Sequence, residues 1–228
     1  MDKKQQQLSG VYAITDPLLL PDDTQMLERV EAALRGGLSV LQYRDKTADA
    51  SKALRQARLL SDLCKSYDCL FIINDDPELA RACEASGVHL GQGDASLQHA
   101  RELLGNHFLI GRTCHNSLQL AEQAVQQGAD YLAFGRCYPS KTKPDAPAAP
   151  LSIFLHTRHL QIPCVAIGGI TPMHASEVVQ AGASMIAAAE GIFAAADPCQ
   201  AVLQYRKAFE YSPSFINEVH HDTLSRTF

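Results

Sequence analysis

Val11-Tyr12-Ala13-Ile14-Thr15-Asp16-Pro17-Leu18 decides between the two folds open to a chain of alternating strands and helices. Its first four residues form a short apolar run, and Thr15-Asp16-Pro17 ends it. An open doubly wound sheet ordinarily places its glycine-rich, phosphate-binding turn directly after the first strand. Here that turn has no glycine. The segment that follows, Met26 to Arg35, puts Met26, Leu27, Val30, Ala33 and Leu34 on one side of a helix. Strand followed by helix is therefore the first unit of the chain.

The unit recurs. Ser39 to Tyr43 precedes a helical segment from Ser51 to Leu63, Leu70 to Ile73 precedes Leu79 to Ala85, and Val88-His89-Leu90 precedes Leu97 to Leu104. Phe108 to Ile110 leads to Leu118 to Val125, and Tyr131 to Phe134 leads to a weaker helix near Leu151 to Leu160. Cys164 to Ile167 precedes Ala175 to Val179, and Met185 to Ala188 precedes Ala201 to Phe209. Strands that are apolar along their whole length need helices over one face and a filled interior behind the other. Glycine turns stand ahead of several strands, at Gly36-Gly37, Gly87, Gly128-Ala129 and Gly182-Ala183, as αβ loops require. Eight such units predict an α/β protein with a single (β/α)8 TIM barrel over residues 1–210. Residues 211–228 show little periodicity and are expected to form a C-terminal tail, with His220-His221 exposed rather than ligating a metal.

Composition narrows the function. Hydrophobic residues make up 46% of the chain, which fits a folded domain, and the acidic side chains exceed the basic ones by 25 to 20. The resulting charge of -5 argues against non-specific attachment to nucleic acid or to an anionic membrane, although a local anion site is compatible with it. No run approaches the roughly 18 apolar residues of a membrane helix, and Met1 to Gln7 has no apolar export segment, so a cytoplasmic location is expected. The seven cysteines show neither CxxC pairing nor a regular framework and read as small apolar residues in a reducing compartment. Oligomeric state stays open, a homo-oligomer included.

In such a barrel the reactive groups gather at the carboxyl ends of the strands, where the βα loops converge on one mouth. Strand two runs into Gln42-Tyr43-Arg44-Asp45-Lys46, strand three into Asn74-Asp75-Asp76, and strand four into Gly91-Gln92-Gly93-Asp94. Strand five runs into Arg112-Thr113-Cys114-His115, and strand six into Gly135-Arg136 and a loop through Ser140, Thr142 and Lys143. Arg44, Lys46 and Lys143 together suit several phosphate oxygens; the competing reading pairs Arg44 or Lys46 with Asp45 or Asp75 as a structural ion pair. Asp75 and Asp94, at neighbouring strand ends, offer two hard oxygen ligands to Mg2+, which commonly bridges a few carboxylates to substrate phosphate. Asp76 competes for that role, yet Asp76-Pro77 reads as a helix cap. Gly168-Gly169 after strand seven lies where barrels build a phosphate cup. His89, inside strand four, reads as a core histidine, His115 as a loop residue, and Cys114 lacks the companions of a nucleophile.

These residues carry a resemblance. Tyr12 to Asp16, Gln42 to Lys46, Ile73 to Asp76, Gly87 to Gln92 with Asp94, Gly128 to Tyr131 with Gly135, Pro139 to Lys143, and Ile167 to Ile170 stand in the order of the thiamine phosphate synthase family, which the chain resembles from Gly10 to Phe209. The resemblance implies a transferase that condenses a hydroxymethylpyrimidine diphosphate with a thiazole phosphate, giving thiamine phosphate and diphosphate. It implies that residues matching Arg44, Lys46, Asn74 and Lys143 bind the diphosphate, that those matching Asp75 and Asp94 hold Mg2+, and that the one matching Gln42 faces the pyrimidine. Positions matching Thr113, Ser140 and Thr142 would line the pocket, with the thiazole phosphate near Gly169 and Glu190. Glu190 stands where the family commonly has serine, and a carboxylate there would repel phosphate unless it turns away; Arg136-Cys137 is a second departure. A tautomerase of similar fold, with a histidine at the position of His115, would not need the diphosphate and Mg2+ set. A non-catalytic phosphate-binding protein would not need Asp75 and Asp94 together with Lys143.

Overall fold

Every apolar run of the sequence becomes a strand of one closed parallel barrel, ordered β1 to β8 around the ring, in a computed structural model that describes residues 8–47, 49–139 and 147–210. β1 (Gly10–Ile14) is followed by α1 (Asp23–Arg35), β2 (Val40–Tyr43) by α2 (Ala50–Ser66), and β3 (Leu70–Asn74) by α3 (Pro77–Ala82). β4 (Gly87–Leu90) leads to α4 (Leu97–Leu104), β5 (Leu109–His115) to α5 (Leu118–Gln126), and β6 (Tyr131–Phe134) to α6 (Ser152–His156) with a 3-10 turn over Arg158–Leu160. β7 (Cys164–Ile167) precedes α7 (Pro172–Ala181); β8 (Met185–Ala188) precedes α8 (Glu190–Phe193) and α9 (Pro198–Glu210). β1 pairs with both β2 and β8, which closes the ring.

Alternation along the strands divides the apolar residues into two layers. Val11, Ala13, Leu41, Phe71, Ile73, Val88, Ile110 and Leu132 face the helices, among them Val30 of α1 and Leu60 of α2. Tyr12, Val40, Leu70, Ile72, Leu109, Tyr131, Val165 and Met185 fill the bore. Each such aliphatic or phenyl side chain contributes roughly 1.5–3 kcal/mol when fully buried, whereas an exposed pair such as Arg81–Glu78 contributes about 0–1 kcal/mol. The two apolar layers therefore hold the fold, and the surface charges adjust it little.

The helices begin where side chains stop the first turn from fraying. Asp22, Asp49, Asp76, Ser96 and Ser117 each accept a hydrogen bond from a backbone N–H in the first turn of α1 to α5. The expectation that Asp76 caps a helix holds: its Oδ1 lies 3.0 Å from the Leu79 nitrogen, and Pro77 opens α3.

Two elements differ from expectation. β5 runs on to His115, with a shift of register against β6 between Thr113 and His115, where His115 takes a left-handed φ of 52°. The short α8 was not expected at all, because four residues carry no readable period. No helix among the described residues is long and apolar enough to cross a membrane. Cys64, Cys69, Cys83, Cys114 and Cys164 are buried thiols, and Cys137 and Cys199 are partly exposed, all of them free, as their spacing suggested. The tail, 211–228, with His220 and His221, lies outside the described residues.

Candidate active site

At the mouth, the end of β2 is held from β1. The Thr15 hydroxyl accepts from the Arg44 backbone N–H at 2.9 Å and donates to the Arg44 carbonyl at 3.3 Å, while the Thr15 N–H bonds the Gln42 carbonyl. Asp45 turns outward, taking Lys52 at 2.9 Å and the Thr47 N–H at 2.8 Å. Of the two carboxylates flanking Arg44 and Lys46, Asp45 is thus occupied elsewhere, and no described carboxylate pairs with Arg44.

Lys46 reaches across to β3, where its Nζ lies 2.5 Å from Asp75 Oδ2. The structural pairing considered for Lys46 is therefore present, but its lysine side chain is 57% exposed. Such a pair contributes only about 0–1 kcal/mol, so incoming phosphate oxygens can compete for Lys46. Asp75 itself adopts a left-handed φ of 66°, with its N–H bonded to the His89 carbonyl at 2.8 Å. That conformation costs an L-residue roughly 1–2 kcal/mol and is tolerated best by Asp and Asn. It is the kind of local strain that strand ends at active sites carry.

The carboxyl of Asp94, from the loop after β4, lies next to that of Asp75, and its Oδ2 accepts from the Gly91 N–H at 2.7 Å. Burial pushes the Asp94 carboxyl up, and its contact with Asp75 pushes it further. Burial acts the same way on Asp75, yet hydrogen bonds with Asp94, Lys46 and Asn74 outweigh it and hold Asp75 below the ordinary range. Two carboxyls this close cannot both be charged cheaply, so a proton or a cation must sit between them. Among the described residues no three His, Cys, Asp or Glu side chains gather as a metal cage. A pair of carboxylates is nevertheless what Mg2+ uses when it keeps waters and takes further oxygens from substrate phosphate, so the donor set fits that ion.

Deeper in the mouth, Gln42 on β2, only 3% exposed, donates from Nε2 to the Tyr12 hydroxyl at 2.7 Å. Thr113 on β5 meets His89 Nε2 at 2.9 Å, and its carbonyl accepts from Gln92 Nε2 at 2.5 Å. His89 is buried and hydrogen-bonded, as read from its place within the strand. On the far side, Gly168 and Gly169 have φ values of 98° and 63°. A Cβ on Gly169 would stand 2.2 Å from the Pro139 carbonyl oxygen, and one on Gly168 2.8 Å from Arg136 Cα. The segment after β6 therefore lies directly against the glycine pair, with Cys137 and Tyr138 donating backbone N–H groups to the Ile167 and Gly168 carbonyls.

Residues 11–192 match the family model described as thiamine monophosphate synthase. The chain belongs to this family. A thiamine-phosphate synthase from Marinobacter nauticus is 54% identical over 184 residues, covering 81% of this chain and 82% of that one. One from Thioalkalivibrio sulfidiphilus is 49% identical over 199 residues, covering 87% and 94%. Among solved structures, a thiamine phosphate pyrophosphorylase from Pyrococcus furiosus superposes with a TM-score of 0.81 at 33% identity, covering 90% of this chain and 97% of that chain.

The residues expected of a thiamine monophosphate synthase divide into three groups. Gln42, Arg44, Lys46, Asn74, Asp75, Asp94 and Thr113 stand at the carboxyl ends of β2 to β5, and contacts tie Lys46, Asn74, Asp75 and Asp94 into one cluster. Gly169 stands across the mouth after β7. Ser140, Thr142 and Lys143 lie outside the described residues. Glu190 is exposed at the first position of α8. Arg136 is half-buried, with its Nε sealed from solvent and without a hydrogen-bond partner among the described residues. Sequence reading gave no role to Thr15, which fixes the Arg44 backbone, nor to Tyr12 and Tyr131, whose hydroxyls meet inside the bore at 3.1 Å. A buried threonine beside an aspartate after a strand was the available signal for the first; for the tyrosines there was none.

Proposed function

We propose that this chain condenses 4-amino-2-methyl-5-hydroxymethylpyrimidine diphosphate with 4-methyl-5-(2-phosphoethyl)thiazole, or with its carboxylated form and release of CO2, to give thiamine phosphate and inorganic diphosphate. The observation that carries the proposal is the cluster of Lys46, Asp75 and Asp94, with Arg44 at the end of β2 in no described salt bridge. That arrangement suits a magnesium-bound diphosphate and has little use for a neutral substrate.

Asp75 and Asp94 would hold the Mg2+, whose contribution when bound is to shield the charge of the diphosphate. Arg44, Lys46 and Lys143 bind the diphosphate oxygens and stabilise the negative charge that grows as the carbon–oxygen bond breaks. The electron pair of that bond leaves with the diphosphate, and the ring amine of the pyrimidine stabilises the methylene cation left behind. Gln42 and Asn74 orient the pyrimidine and its diphosphate. The thiazole nitrogen then donates its lone pair to the methylene carbon, forming the new carbon–nitrogen bond. Gly169 lets backbone N–H groups approach the thiazole phosphate, with Thr113, Ser140 and Thr142 lining the pocket and holding the nitrogen against the cation. No protein nucleophile takes part, which agrees with burial pushing Cys114 up to about 12.

A reducing, cytoplasmic setting fits the free cysteines and the substrates. The purified chain is to be given both substrates with and without magnesium. Equal yields of thiamine phosphate and inorganic diphosphate, dependent on the metal, are expected; absence of either product in the complete mixture refutes the proposal.

A further inference from the structure

The bore of the barrel contains an unbroken line of polar contacts in which every oxygen and ring nitrogen has few protons to give. Gln42 Nε2 lies 2.7 Å from the Tyr12 hydroxyl, Tyr12 3.1 Å from the Tyr131 hydroxyl, Tyr131 3.2 Å from His89 Nδ1, and His89 Nε2 2.9 Å from the Thr113 hydroxyl. The line joins β2, β1, β6, β4 and β5, so it crosses the whole interior. Gly111 makes room for it: the residue sits in register between His89 and Tyr131, and a Cβ there would be 2.1 Å from the Tyr131 ring.

Each phenol has a single proton, and burial drives the pKa of both upward, so both remain protonated. A donor at one end therefore forces the direction of every bond that follows. If the Gln42 amide donates to Tyr12, then Tyr12 donates to Tyr131, Tyr131 to His89 Nδ1, and His89 Nε2–H to Thr113. Reversing the direction requires a proton on Nδ1 and turns the Gln42 amide over. The direction decides which half of that amide remains for the mouth. No described group bonds the side-chain oxygen of Gln42, Oε1, and among the described residues the sealed, unpartnered side-chain atom is Arg136 Nε, not this oxygen.

We infer that Tyr12, Tyr131 and His89 are positioning residues that fix the Gln42 amide with its carbonyl oxygen toward the substrate, and so make the site select a 4-aminopyrimidine over its 4-oxo counterpart. An exocyclic amine donates to that oxygen; an oxo group in the same place meets it lone pair to lone pair. A buried polar group left without its partner is the strongest available basis for rejecting an analogue of the same shape. The inference rests on the function proposed above and adds the device that sets its pyrimidine specificity.

The test uses the 4-oxo pyrimidine diphosphate as a competitive inhibitor, so that the electronic help of the ring amine in ionisation drops out. In Tyr12→Phe the amide loses its acceptor, and in Tyr131→Phe the Tyr12 hydroxyl is free to donate to Gln42 instead. The ratio of the inhibitor's Ki to the KM of the amino substrate is expected to fall about tenfold or more in both variants, with kcat changed much less. Should either variant fail to fold, the wild-type protein still answers: its histidine 15N spectrum, with His89 assigned by difference from His89→Asn, is expected to show Nε2 protonated and Nδ1 bare. A wild-type chain that makes no thiamine phosphate overturns the functional reading itself. An active wild type whose variants keep the full ratio, or whose His89 carries its proton on Nδ1, overturns this inference alone.

Discussion

An alanine at position 111 would set its methyl group 2.1 Å from the Tyr131 ring, and neither β4 nor β6 can step aside without opening the barrel. Gly111→Ala is expected to destabilise the fold by about 1–3 kcal/mol, the usual cost of overpacking a closed core, as read from the midpoint of a urea melt. Lys143 is a different kind of residue. In the proposed reaction it serves the departing charge, so Lys143→Ala should lower kcat by about 100-fold or more and leave the melting temperature unchanged. Steady-state kinetics and a thermal melt on that one variant decide the matter; unchanged turnover in a folded variant removes Lys143 from the site. At this scale the chain spoke unevenly. The choice of Asp75 over Asp76 as the mouth carboxylate was legible, because a proline after Asp76 marks it as a cap. The Tyr12–Tyr131 contact was not, because the residues are 119 positions apart and meet only once the ring closes.

Two ties between elements separate stability from catalysis. On the face away from the mouth, Arg101 of α4 donates to the carbonyls of Gly105, Phe108 and Gly128 and to Asp130, which in turn accepts from the Ile110 N–H at 2.7 Å. Conserving turnover while removing this knot is a fair test of the rule that one face of the barrel does chemistry and the other holds the chain. Arg101→Ala is expected to cost about 2–4 kcal/mol, since it leaves several groups of two αβ loops without a partner, with kcat and KM for the surviving folded enzyme unaltered.

Nearer the mouth, Asp23 of α1 takes hydrogen bonds from Arg55 and Gln56 of α2, and these hold its carboxyl below its ordinary value of 3.8. A carboxyl depressed on folding stabilises the native state above the unfolded value, and that contribution is lost as the pH falls through the folded one. Asp23→Asn should therefore melt below the wild type at neutral pH, and the gap should close in acid below pH 3.8, which urea melts at both pH values would reveal. Element type was the most readable level of all. Long amphipathic stretches such as α1 and α2 declare a period, and β6, β7 and β8 are uniformly apolar. Only α8, too short to show a period, and the far end of β5, whose polar residues resemble a loop, escaped.

For the molecule as a whole, closure of the barrel brings residues from β2, β3 and β4 to one mouth and sets Gly169, after β7, across from them. Closure was inferred from eight repeats and a first turn without glycine; the contacts across the mouth could not be, since they depend on the angle each loop takes. The central claim is that Asp75 and Asp94 share a cation with the substrate's diphosphate while Lys46 leaves Asp75 for the phosphate oxygens. Calorimetric titration of the pyrimidine diphosphate into wild-type and Asp75→Asn protein, each with and without Mg2+, measures this directly. The account predicts that magnesium tightens binding to the wild type by about 100-fold or more and does little for Asp75→Asn, at equal melting temperature. Equal dependence on magnesium in the two proteins would contradict it.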